Sequence, residues 1–147
     1  MKSTATHAAR LLLGLVFFIL GLNGFLQLFP LPPTQGAAGE FIGGLVASGY
    51  FFPLLFGTYT IAGAALLTGR FVPLALTVLA PVIVNIVAIH IFLDPAELPL
   101  TILVVGAETF LAWSYRAAFR PLLRAREESA PMTGKAAPGA PAAEHAA

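Results

Sequence analysis

The sequence predicts an all-α membrane protein: a bundle of four transmembrane helices with a short interfacial or re-entrant helix between the first and second. Three observations predict it. From Phe71 to Leu93 the chain carries no Lys, Arg, Asp or Glu; at about 1.5 Å per residue that is roughly 35 Å of helix, enough to cross a bilayer with some tilt. Hydrophobic residues make up 58% of the chain and charged residues only 10%, more apolar surface than a water-soluble core needs. The basic residues also fall in alternate connections only, as the positive-inside rule requires of a multi-pass chain.

Helix 1 is expected over about 10–29. A basic start followed by an apolar run resembles a secretory signal. However, the uncharged run from Leu11 to Phe29 is too long for one, and no small-residue cleavage site closes it. We therefore expect this helix to be kept. Gly14, Gly21 and Gly24 would let a neighbouring helix approach closely, and Asn23 and Gln27 lie one turn apart on one face. The turn-rich link PLPPTQGAAGE follows. The next uncharged run, Phe41 to Gly69, is long for one span. Pro53 and the glycines at 43, 44 and 49 divide it into an interfacial segment over about 39–48 and helix 2 over about 51–69. Tyr50, Phe51 and Phe52 suit the membrane boundary.

The tight Thr68-Gly69-Arg70 turn makes helices 2 and 3 an antiparallel hairpin. Helix 3 covers about 71–93, with Pro73 in its first turn and Pro81 inside, where a kink is expected. Helix 4 covers about 98–119, with Trp113 and Tyr115 near its end as an aromatic belt. Residues 1–124 form the membrane domain. The Ala/Pro/Gly-rich stretch 125–147 reads as a disordered cytoplasmic tail. Lys2 and Arg10 precede helix 1, Arg70 joins helices 2 and 3, and Arg116, Arg120, Arg124, Arg126 and Lys135 follow Trp113. The remaining connections hold only Glu40, Asp94 and Glu97. Both termini are thus expected in the cytoplasm of a bacterium, the chain lying in its cytoplasmic (inner) membrane.

Candidate functional residues are the polar groups inside the spans. Counting up from the cytoplasmic ends places Asn23, Tyr59, Asn85 and Glu108 in one central layer, one from each helix, facing one another. A carboxyl at a helix centre costs on the order of 2.5–3.5 kcal/mol on insertion scales, so Glu108 must be protonated, paired or beside water. Thr101, Val105, Ala112 and Tyr115 are expected on its face. His90 and Asp94, four apart, can pair near the outer end of helix 3. Asn23, Tyr59, Asn85, His90 and Glu108 are therefore candidates to line a ligand pocket, supported by Gln27, Thr58, Asp94 and Tyr115. Each has a plainer reading as interhelical packing, with its polar group satisfied by a neighbour.

The net charge of +1 offers nothing to nucleic acid, and the absence of cysteine removes thiol chemistry and Cys-based metal sites. His7, His90 and His145 have no metal-ligand spacing, so no metal is expected. There is no phosphate loop, zinc-protease motif or serine elbow, and His90 is the sole histidine within a span. A self-contained redox enzyme is not expected, and no cofactor is intrinsic.

Several stretches resemble the DoxX family of small four-helix membrane proteins. They are Arg10-x3-Gly14 with GLNGF after it, FIGGLVASGYFFPLL, AGAALLTGRFVPLAL, APVIVNIVAIHIFLDP and ETFLAWSYRAAFRPLL. The resemblance covers roughly 10–124. Glu108, Asn85 and His90 sit where the family pattern has polar residues, and Tyr59 stands where it often has a Glu. The family takes its name from a small subunit of an archaeal thiosulfate:quinone oxidoreductase, and other members are associated with redox or oxidative-stress complexes. The resemblance implies an accessory subunit of a quinone-linked or oxidative-stress membrane system, with a quinone as possible ligand. A bundle core with apolar walls and a few convergent polar groups suits such a ligand. A second reading is a non-catalytic scaffold or assembly protein that recruits a membrane or redox partner through its glycine faces, or forms a homo-oligomer. A third is a small proton-coupled carrier, which would need a path that four spans barely provide.

Overall fold

The computed structural model describes residues 3–31, 33–95 and 98–120. The expected tail and Glu97 lie outside the described residues. The described chain is helical, without strands: α1 Thr4–Leu26, α2 Gly36–Ala47, α3 Phe51–Thr68, α4 Val72–Phe92, α5 Leu98–Ser114 and the single turn α6 Arg116–Phe119. Three of these, α1, α3 and α4, are long and apolar enough to cross a membrane; α2 and α5 are shorter apolar helices. Large apolar side chains cover the outside all round, among them Leu15, Ile61, Val84 and Ile102. Apolar surface on every side is what hydrocarbon, not water, solvates.

Several boundaries differ from expectation. α1 begins at Thr4 rather than Arg10 because Ser3 caps it, its hydroxyl accepting from the Thr6 N–H at 3.4 Å. It stops at Leu26 rather than Phe29 because Gln27 takes a left-handed conformation (φ 50°). Helix 4 does not continue to 119: α5 ends at Ser114, and Tyr115 separates it from α6. The interfacial segment starts earlier than expected, at Gly36, and α4 runs through Pro81 without interruption.

α1 and α3 pack most closely, in antiparallel register. Gly14 meets Leu66, Phe18 meets Gly63, Gly21 meets Thr60 and Gly24 meets the Phe56 ring. A side chain at Gly21 would stand 2.6 Å from the Thr60 backbone nitrogen and 2.9 Å from the Phe56 carbonyl, so the two backbones can approach this closely only over a glycine. At the opposite end of this seam Arg10 donates to the Leu66 carbonyl at 2.8 Å and fills the space beside Gly69. It caps the carbonyl end of α3, where a cation is favoured. α4 packs on α3 and α5, and α5 returns to α1, closing a ring of four helices. The core runs along this ring through Leu13, Phe17, Leu66, Leu76, Leu79 and Leu111. Among the described residues α2 packs chiefly on α3.

Candidate functional site

Beneath α2 the bundle opens into a cavity of about 330 Å³ between α2, α3 and α4. Its α3 wall is aromatic. Phe51, Phe52, Phe56 and Tyr59 all line it, with Phe52 and Phe56 ring centroids 5.4 Å apart and Phe56 and Tyr59 6.4 Å apart. Phe17 holds the Tyr59 ring edge-on from behind, at 5.0 Å. α2 contributes Ala38, Ile42 and Leu45, a spacing that puts all three on one face of that short helix. The α4 wall carries Val82, Asn85, Ile86, Ile89 and His90, an arc of one helix side, with Asp94 just beyond it.

Four of the residues expected at a pocket therefore share one cavity: Tyr59, Asn85, His90 and Asp94. Tyr59 is 7% exposed. Neither its hydroxyl nor the Asn85 amide has a hydrogen-bond partner among the described residues. The His90 ring is held by its own helix. Its Nδ1 lies 2.7 Å from the Ile86 carbonyl, and because a carbonyl only accepts, Nδ1 carries the proton and donates it.

The expected central layer does not assemble as a single group. Asn23, 4% exposed, commits both halves of its amide to the backbone of Phe29: Nδ2 donates to the carbonyl at 3.0 Å and Oδ1 accepts from the N–H at 2.9 Å. It folds the chain back at the end of α1. With Gln27, Gly24 and Phe56 it borders a separate, more open hollow. Glu108 is not on the cavity wall. It is 8% exposed on α5, and its Oε2 has no hydrogen-bond partner among the described residues. Its buried companions are Thr101, Val104 and Leu111, in place of the expected Val105, Ala112 and Tyr115, which are half-buried. Thr58 donates its hydroxyl to the Leu54 carbonyl and faces an apolar groove between α3 and α4. Tyr115 packs at the edge of the core.

The aromatic ladder of α3 and the closing face of α2 escaped the sequence reading. Both were visible as spacing, since Phe51, Phe52, Phe56 and Tyr59 recur on one helix side, but aromatics near a boundary read first as a membrane belt. No group of three or more metal-ligating side chains occurs among the described residues. No family model matches the chain, and neither a curated protein nor a solved structure matches it.

Proposed function

We propose that the chain is a DoxX-like, four-span protein of the bacterial cytoplasmic membrane with both termini inside. In this reading it serves as an accessory subunit of a quinone-linked redox or oxidative-stress system and has no catalytic activity of its own. Its cavity between α2, α3 and α4 holds a small lipophilic ligand such as a quinone. The observation that carries the reading is the cavity's division of labour: an aromatic wall on α3, with the polar side chains of Tyr59 and Asn85 lining the same space. A planar, largely apolar molecule with one or two polar atoms satisfies both.

Native mass spectrometry of protein drawn gently from its own membrane tests this, with the wild type beside a Tyr59→Phe, Asn85→Leu double variant. The expected outcome is a small lipophilic mass retained by the wild type and lost from the variant. A bare chain in both rejects the ligand reading. The scaffold alternative has its own support in α2, where Phe41 and Val46 are exposed and Gly43 and Gly44 have open space around them. A protein partner retained in both samples, and lost when Gly43 and Gly44 become Leu, would favour it.

A further inference from the structure

We infer that the cavity selects a ring that carries a hydroxyl: a phenol or hydroquinone with an apolar tail, in preference to the corresponding quinone or ether. The inference rests on the ligand reading of the cavity given above and adds which chemical form it takes. His90 makes the choice. Its Nδ1 proton is already given to the Ile86 carbonyl at 2.7 Å, so in the neutral imidazole Nε2 has only a lone pair to offer. This end of the cavity therefore calls for a donor. Tyr59 and Asn85 do not discriminate, because a hydroxyl and an amide can each donate or accept.

Asn85 and His90 are five residues apart on α4, about 7.5 Å along the helix axis and roughly 140° around it, at the two edges of the arc that lines the cavity. The Phe52 and Phe56 rings line the facing wall. A hydroquinone gives one O–H to Nε2 and exchanges hydrogen bonds with Asn85 or Tyr59 at its other oxygen. A quinone in the same pose sets a carbonyl lone pair against the Nε2 lone pair and leaves both without a donor.

The test uses the full chain in lipid nanodiscs, titrated calorimetrically with three probes that share one alkyl tail: an alkylphenol, its methyl ether and an alkylbenzoquinone. Empty nanodiscs provide the blank. The phenol is expected to bind at least about tenfold more tightly than the ether or the quinone, the scale of one unpaired buried group. His90→Leu is expected to close that gap by weakening the phenol alone. Equal affinity for all three probes in the wild type overturns the inference and leaves the ligand reading standing. A gap that persists in His90→Leu also overturns it. Saturable binding of none of the three rejects the ligand reading and the inference together.

Discussion

Asn23 and Glu108 look alike in the sequence, each a polar residue in the middle of an apolar run, and the structure gives them opposite fates. Asn23 has both amide functions matched by one backbone residue, Phe29. Its partner lies six positions along the chain, past a left-handed Gln27, so no count of helix faces could find it. Asn23→Leu should strand the Phe29 N–H and carbonyl and cost about 1–3 kcal/mol, two ordinary hydrogen bonds. Glu108 has an oxygen with no partner among the described residues. Glu108→Leu should therefore stabilise the fold by about 1–3 kcal/mol, the penalty of one unsatisfied buried group. Reversible unfolding in mixed micelles measures both, and the prediction requires shifts of opposite sign. If Glu108→Leu destabilises as much as Asn23→Leu, the carboxyl is interhelical glue after all. Arg10 was legible as a topology charge; that its guanidinium also caps α3 at Leu66 depends on Gly69 leaving room for it, which only the packed structure reveals.

At the scale of elements, hydrocarbon imposes a minimum helix length, which is why the apolar runs and the hairpin at Gly69 could be read directly. Helix ends were less legible because single residues set them: Ser3 starts α1, Gln27 stops it and Tyr115 separates α5 from α6. The pairing of α1 with α3 was half legible. The glycines announced a close contact without naming the partner, and the register emerges only when Gly14, Gly21 and Gly24 are set against Leu66, Thr60 and Phe56. This separates the glycines into two classes. Gly21→Ala and Gly63→Ala would press a methyl group into opposing backbone, at 2.6 Å from the Thr60 nitrogen and 2.5 Å from the Phe18 nitrogen. Neither backbone can turn aside, so each should cost about 1–3 kcal/mol as overpacking. Gly57→Ala and Gly106→Ala meet nothing within 4 Å and lie inside helices. Each should be neutral or stabilising by up to about 1 kcal/mol, the helix-propensity gain. Thermal unfolding of the four variants in one detergent checks this. Similar losses in all four would mean that α1 and α3 do not meet along this seam.

For the whole molecule the number of crossings turns on α5. α1, α3 and α4 have the length and composition to span. α5 has 17 residues, about 25 Å of helix, a few ångströms short of a hydrocarbon core of about 30 Å. The shortfall is of a size that local thinning and snorkelling side chains absorb. Arg116, just past the end of α5, donates to the Trp113 carbonyl at 3.1 Å, and its guanidinium lies 5.2 Å from the Trp113 ring centroid. That places an aromatic and a cation together where an inner boundary would fall. The ring closed by α5 between α4 and α1 also gives it the same neighbours as a spanning helix. The chain contains no cysteine, so single-cysteine labelling needs no background removal. With Ser3→Cys, Thr34→Cys, Arg70→Cys, Pro95→Cys and Arg120→Cys, a membrane-impermeant maleimide applied to intact cells should reach only positions 34 and 95. The other three should label only after the membrane is opened. If positions 95 and 120 both label from outside, α5 does not cross and the protein has three spans. The carboxyl of Glu108 would then lie on a helix that re-enters without crossing.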